Sequence, residues 1–245
     1  MQFRSLAFRF RWIPTLLFAV PIPLFVGLGL WQLDRADQKR DFASILAARA
    51  ALPPAVIEKT LEDAGELRYR RVVASGRYVA ERQFLIEGRR EGSKSGFHVI
   101  TPLRLSDSGA LLLVNRGWVA ARPGNDPILA PIPEGDVVVS GVAELPSPPV
   151  IVLHGGADAA KGWGERWPYL TVELFAATVE DPVQPFLMLL DPGAPGGFVR
   201  HWRQPSPKVW MHQGYAAQWF GFAIIALALY LRLSFERTPV SEGEI

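Results

Sequence analysis

Hydrophobic residues gather in two long runs, one near each end of the chain. Residues 12–33 form an uncharged run of 22 residues, and residues 209–231 form a second run of 23. A helix rises about 1.5 Å per residue, so each run is long enough to cross the roughly 30 Å hydrocarbon core of a bilayer. The pattern predicts transmembrane helices at 13–33 and 209–231, which excludes an ordinary soluble enzyme.

The segment after the first run keeps a helical period. Within residues 35–50, the apolar side chains of Phe42, Ile45 and Leu46 recur at helical spacing. The prolines at 53 and 54 then stop any helix. We therefore expect the first transmembrane helix to continue outward until it meets them.

From residue 70 onward, the hydrophobic period changes to that of β-strands. Short runs rich in Val, Ile, Leu or aromatic residues and bounded by turn residues predict strands at 71–79, 83–88, 97–103, 110–119, 136–143 and 183–190. Because few helical patterns intervene, these strands favour antiparallel pairing in a sheet or barrel. Residues 171–179 predict a short helix capped by Thr171, and the glycine-rich residues 154–164 predict a mobile loop.

The fold class that follows is a membrane protein of α+β type. Two transmembrane helices flank a mainly antiparallel β extramembrane domain that holds a few short helices. Residues 1–12 contain three arginines and no acidic residue, and such segments stay in the cytoplasm. We therefore expect a cytoplasmic N-terminus at 1–12, a periplasmic domain at 34–208 and a cytoplasmic tail at 232–245.

The first apolar run is too long for a cleaved signal peptide, and no mitochondrial transit peptide precedes it. Both observations favour a multi-pass protein of the bacterial cytoplasmic (inner) membrane.

Composition and charge exclude several classes of function. Of the 26 Lys and Arg residues, 21 lie between the two runs, as do 21 of the 24 Asp and Glu residues. This domain is formally neutral, so the pI near 9.0 does not indicate a nucleic-acid partner. The absence of cysteine excludes disulfides, thiolate metal sites and iron–sulfur clusters. Common catalytic motifs such as the P-loop, HExxH and GxSxG are missing from the sequence, so we expect no enzyme.

Candidate chemistry lies at the start of the second run. In a helix, His212, Tyr215 and Trp219 fall on one face. They could form an interfacial aromatic belt against lipid, because Trp and Tyr are enriched at membrane boundaries. Alternatively, His212 could be an axial ligand of a haem iron, with the macrocycle packed on the neighbouring rings. The residues alone leave both interpretations open.

Two further regions carry recognisable motifs. The exit of the first run contains Gly29-Leu30-Trp31-Gln32-Leu33-Asp34-Arg35, and the domain contains Thr101-Pro102-Leu103 and Val114-Asn115-Arg116-Gly117-Trp118-Val119. The domain motifs predict a hairpin with the polar residues at a strand end or bulge. Gly117 is expected where a side chain does not fit, next to Trp118 in the core.

In this order, and together with His212-x-x-Tyr215-Ala216-x-x-Trp219-Phe220, these motifs resemble the surfeit locus protein 1 family over residues 15–232. The resemblance implies an assembly factor, or chaperone, of haem–copper cytochrome c oxidase that binds haem a transiently and aids its insertion into oxidase subunit I. It also implies His212 as ligand of the haem iron, beside Tyr215 and Trp219. The chain has Trp210 and Met211 where the family often has two asparagines.

The remaining motif residues are structural by the same resemblance: Trp31, Gln32, Arg35, Pro102, Asn115, Arg116, Gly117 and Trp118. The implied partners are oxidase subunit I, haem a synthase and membrane lipid. The alternative is a cofactor-free membrane scaffold that stabilises the immature oxidase. A membrane-tethered enzyme is a third reading, but the sequence offers no catalytic constellation for it.

Overall fold

The computed structural model describes residues 4–59, 61–122, 124, 126–146, 165–196, 198–202 and 208–239. The chain divides into two compact units, one made of Met1–Ile45 with Pro205–Ile245 and the other of Leu46–Gln204. The predicted fold class is confirmed, since apolar helices near both termini flank a mainly β domain with short helices. The predicted loop at 154–164 lies outside the described residues.

The first unit contains the long helices. Helix α1 (Trp12–Ala19) ends at Val20, and α2 (Pro21–Ala51) begins at the next residue, because Pro21 has no N–H for the helical ladder. Helix α2 runs on to Ala51, which confirms the predicted continuation. Near the other terminus lies a single helix of 26 residues, Val209–Ser234. By length and composition, the helical stretches 12–51 and 209–234 are each able to cross a membrane.

The two ends of the chain pair with each other. Strand β1 (Arg4–Phe8) runs antiparallel to a strand at Phe235–Pro239. Past the end of this ribbon, the backbone N–H of Arg9 donates to the carbonyl of Ser234 at 2.8 Å. The rings of Phe8 and Phe235 pack edge to face, with centroids 5.5 Å apart. The sequence analysis assigned no structure to these segments.

The second unit is built on a closed ring of five strands. They are β3 (Arg71–Tyr78), β5 (Lys94–Leu105), β6 (Leu111–Ala120), β7 (Asp136–Glu144) and β9 (Val183–Leu190). Around the ring the order is β3-β5-β6-β9-β7, and pairing of β7 with β3 closes it. Strands β6 and β9 are parallel and the other neighbours antiparallel. This connectivity is that of an OB-fold barrel.

Shorter elements surround the barrel: β2 (Ala55–Val56), α3 (Ala64–Leu67), a 3₁₀ turn (Ala80–Arg82), β4 (Phe84–Glu91), β8 (Arg166–Trp167) and α4 (Val172–Ala176). Together with α5 (Val209–Ser234) and β10 (Phe235–Pro239), they complete the described elements. The Thr171 hydroxyl accepts from the backbone N–H of Leu174 at 3.2 Å, which confirms the predicted cap. The capped helix ends at Ala176, three residues earlier than predicted, because the chain leaves it in a turn.

Two hydrophobic cores lie on opposite faces of β6. Leu112 and Val114 belong to a core that draws residues from all five ring strands and fills the barrel. Leu111 and Leu113 point to a second core, which includes Phe175 from α4. Because both faces are buried, the start of this strand is a continuous apolar run and does not alternate with polar residues.

A bulge interrupts β6 at the polar motif. Val99 lies opposite Gly117 and Ile100 lies opposite Asn115, so Arg116 is the extra residue. The φ angle of Gly117 is 127°, and a Cβ there would lie 2.8 Å from the carbonyl oxygen of Val199. The bulge and the close approach at Gly117 confirm the sequence expectations.

Replacing Gly117 by alanine should therefore destabilise the domain. We expect Gly117→Ala to lower the free energy of unfolding by about 2 kcal/mol or more, because both the backbone conformation and the nearby carbonyl oppose a Cβ. Thermal and chemical denaturation of the purified full chain measure the change. Gly193→Ala is the control, since a Cβ at that position meets nothing within 4 Å. Equal stability of the two variants would contradict the packing.

Candidate functional site

The two long helices of the first unit pack against each other at small residues. Gly29 on α2 is buried, and a Cβ there would lie 2.7 Å from the ring of Phe220 on α5. Ala36 and Ala216 are also buried, at 1% and 2% exposure. Small side chains let helix backbones approach closely, so this contact brings the polar groups beside it within hydrogen-bonding range.

Aromatic and hydroxyl contacts fix the register of α5 against α1 and α2. The hydroxyls of Thr15 on α1 and Tyr230 on α5 lie 3.3 Å apart. Further along, Phe25 stacks on Trp219 with ring centroids 5.8 Å apart. Since the contacts descend one helix as they ascend the other, the start of α5 lies beside the middle of α2.

This register brings His212 and Gln32 together. The Nδ1 atom of His212 lies 2.8 Å from the Oε1 atom of Gln32. Because an amide oxygen only accepts, the imidazole proton resides on Nδ1, and Nε2 keeps its lone pair. Nε2 makes no hydrogen bond to a residue that the structure describes. The pair thus presents one oriented nitrogen of the kind that binds transition metals.

The aromatic residues predicted beside His212 lie on the same helix. Tyr215 is 47% exposed, and Trp219 is half-buried against Phe25 and Phe222. Tyr215 therefore offers an open ring surface one turn from His212, while Trp219 stiffens the helix contact one turn further on.

Two other motif residues of the first unit do not join this group. Trp31 is 49% exposed, and the guanidinium of Arg35 lies over its ring, 5.6 Å from the centroid. Arg35 also donates to Gln38 at 2.8 Å. They form an exposed stripe on α2, next to the face that carries Gln32.

The motif at residues 114–119 of the β domain has a structural role, which centres on Arg116. This side chain is fully buried, and its Nε donates to the carbonyl of Gly196 at 2.9 Å. Nη1 donates to the Gln83 side chain at 3.0 Å, and Nη2 to the carbonyl of Pro131 at 2.8 Å. Burial lowers the pKa of the guanidinium below its ordinary value. Arg116 therefore ties a loop, a proline-rich segment and a 3₁₀ turn to the barrel.

A second arginine continues this arrangement. Arg200 is 6% exposed, and its Nε donates to the carbonyl of Arg116 at 2.9 Å. Its Nη1 donates to the carbonyl of Ala194 at 2.7 Å and also to that of Asp191. The sequence analysis did not single out Arg200, since an isolated arginine carries no motif.

The rest of the motif frames His98. Asn115 is 3% exposed, and its Nδ2 lies 3.2 Å from Nδ1 of His98. Trp118 is 7% exposed and donates from Nε1 to the carbonyl of Arg89 at 3.2 Å. Pro102 is buried in β5, and its carbonyl accepts from the N–H of Val79 at 2.9 Å. Each of these residues makes a hydrogen bond within the β domain, which is a structural role.

Among the residues that the structure describes, no group of three or more His, Asp or Glu side chains could hold a metal ion. His212 stands instead as a single nitrogen donor with its own hydrogen-bonding partner.

Comparison with known proteins places most of the chain in one family. The model of the SURF1 family matches residues 19–224. A SURF1-like protein of Monosiga brevicollis is 28% identical over 236 residues, which cover 89% of this chain and 85% of that protein. Surfeit locus protein 1 of Mus musculus is 26% identical, covering 91% of this chain and 76% of its own. Cytochrome oxidase assembly protein SHY1 of Saccharomyces cerevisiae is 26% identical over 48% of this chain and 30% of its own.

The environment of His98 predicts an acid-sensitive domain. Burial, aided by the charge of Arg89, lowers the pKa of His98 from 6.5 to about 4. Between these pH values, unfolded chains bind a proton that folded His98 does not, so stability falls as pH falls. We expect a loss of no more than about 3 kcal/mol from this residue. Denaturant unfolding at pH 7 and pH 4 should show a smaller loss in His98→Gln, and an equal loss in both proteins would contradict the assignment.

Proposed function

This chain belongs to the SURF1 family, and we therefore propose that it is a membrane assembly factor of cytochrome c oxidase that binds haem a and aids its insertion into oxidase subunit I. The assembly role is supported by the similarity to a relative named as a cytochrome oxidase assembly protein. The haem role is supported by the side chains around His212.

The observation that carries the haem proposal is the 2.8 Å contact between His212 and Gln32. Histidines that bind metals commonly donate their second ring N–H to a protein acceptor, which fixes the ring and its tautomer. Gln32 supplies that acceptor, so Nε2 is the atom that would hold the haem iron. Bound haem a would supply the redox centre that the oxidase needs, and the chain would only hold and orient it.

The surroundings of His212 suit a large apolar ligand. Tyr215, one turn along α5 from His212, is 47% exposed and offers an open ring surface. One imidazole ligand holds iron less firmly than two ligands would. A single histidine therefore suits a protein that must release haem to its partner.

The exposed tryptophans support a position of the group at a membrane boundary. Trp12 is 65% exposed and Trp31 is 49% exposed, and Trp31 follows Trp12 by 19 positions, which is about 29 Å at the rise of a helix. That distance matches the hydrocarbon thickness, and tryptophans favour both of its interfaces. Gln32 adjoins Trp31, so the proposed ligand lies where a haem could leave the bilayer edge for a partner protein. Oxidase subunit I is that partner, while haem a synthase and lipid are the proposed source and surroundings.

Removing His212 tests the haem proposal directly. Full-length protein co-expressed with a haem a synthase should purify with a Soret band, and His212→Ala should lose most of it because iron loses its protein ligand. Gln213→Ala is the matched control, since this exposed neighbour has no part in the pair. Absorption spectra and pyridine haemochrome assays measure bound haem.

The same purification separates the two functional readings. A wild-type protein that is colourless yet co-purifies with oxidase subunit I would support the cofactor-free scaffold. Unchanged haem content in His212→Ala would remove the ligand role.

The proposed topology has both termini in the cytoplasm and the β domain in the periplasm of a bacterial inner membrane. It is supported by the three arginines before the first span and by the ribbon that pairs β1 with β10, since paired ends share one side. A periplasm-active reporter fused within residues 123–149 should be active, and a C-terminal fusion should be inactive. The reverse activities would overturn the orientation.

A further inference from the structure

The β domain holds a polar cluster that the haem proposal does not use. In it, Nδ2 of Asn115 donates to Nδ1 of His98 at 3.2 Å, while Oδ1 of Asn115 accepts from the backbone N–H of Gly117 at 3.1 Å. Both ends of the amide are thereby assigned, so the proton of the neutral imidazole resides on Nε2. His98 thus presents an Nε2–H donor, and no residue in the described part of the chain accepts from it.

Arg89 is the second unsatisfied donor of the cluster. It follows Gly88, whose φ is 67°, at a register shift between β4 and β5, and such bulges re-aim side chains. The carbonyl of Arg89 accepts from Trp118, which fixes the backbone. The guanidinium itself has no hydrogen bond or ion pair within the described ranges, and its Nε is buried without a partner. Arg89 is therefore a cation on a fixed backbone, without an anionic partner among the described residues.

The neighbouring groups limit the charge of any ligand. Arg89 lies opposite Gly96, two residues before His98 on β5, and Glu91 lies opposite Lys94, so these side chains share one face of the sheet. The charge of Arg89 lowers the pKa of His98, and that of Glu91 raises it. Glu91 is engaged by Nδ1 of His201 at 2.7 Å. One cation with a carboxylate nearby suits an anion of single charge and disfavours a phosphate dianion. The ring of Trp202 packs edge-on against His98, at a centroid distance of 5.8 Å, and supplies an apolar wall.

We propose that Arg89 and His98 form a binding site for a carboxylate group. A carboxylate has two acceptor oxygens, one for the guanidinium and one for the Nε2–H of His98, and charge-assisted bonds of this kind are the strong ones. The carboxylate belongs either to a small organic acid or to an acidic side chain of a peptide. Both sources satisfy the same two donors.

Ligand titration of the full chain in nanodiscs tests the site. The probes are acetate and N-acetylglutamic acid amide, and chloride at equal ionic strength is the control. In protein labelled with 15N-histidine, the carboxylate probes should shift the Nε2 signal of His98 saturably, and His98→Gln identifies that signal by its loss. A stronger response to the glutamyl probe identifies a peptide ligand, and equal responses identify a small acid. No saturable shift, or a larger shift with inorganic phosphate, would overturn the proposal.

Variants separate binding from folding. Arg89→Gln should weaken carboxylate binding about tenfold or more, because it removes a charged hydrogen-bond partner. Arg90→Gln removes the same charge one residue along, on an exposed side chain, and should bind as wild type does.

The thermal midpoint gives a second readout. Without ligand, the midpoint of Arg89→Gln should equal or exceed that of the wild type, because the guanidinium has no described contact to lose. Carboxylate should raise the midpoint of the wild type alone. A lower midpoint for ligand-free Arg89→Gln would show that Arg89 is a structural residue and would refute the site.

Discussion

The β domain depends on the hydrogen bonds that the buried guanidinium of Arg116 makes. This group is fully buried and surrounded by neutral acceptors, the carbonyls of Gly196 and Pro131 and the amide of Gln83. A buried charge is tolerated only while such dipoles surround it, so three segments distant in sequence are held at one place. Arg200 repeats this arrangement with the carbonyl of Arg116 itself. Residues 191, 194 and 196 are thereby held against the barrel.

In the helical unit, a close contact between a glycine and an aromatic ring performs the corresponding task. Gly29 lets the ring of Phe220 come so near that a side chain would not fit between them. The polar pair of Gln32 and His212 follows one turn beyond the glycine on α2 and two turns before the ring on α5. The amide and the imidazole stabilise each other between these apolar helices, because each supplies the hydrogen bond that apolar side chains cannot.

The sequence was informative where a pattern repeats and silent where a contact is made by single residues far apart. Periodicity located the long helices and the ring strands, and the Asn115–Gly117 motif correctly indicated a bulge. Elements as short as β2 or β8 hold too few residues to show a period. The partner of His212 could not be read from spacing, since Gln32 lies 180 residues away. The pairing of β3 with β5 and the role of Arg200 likewise depend on tertiary packing.

Because Gln32 and His212 are 180 residues apart in the sequence, they are synthesised at different times. Ribosomes add about 5–20 residues per second, so roughly 10–40 s pass between synthesis of Gln32 and synthesis of its histidine. During this interval the first helix lacks its partner helix, and the ring nitrogen that Gln32 orients does not yet exist. A nascent chain that ends before His212 therefore cannot assemble the pair, and the oriented imidazole is among the last features to form.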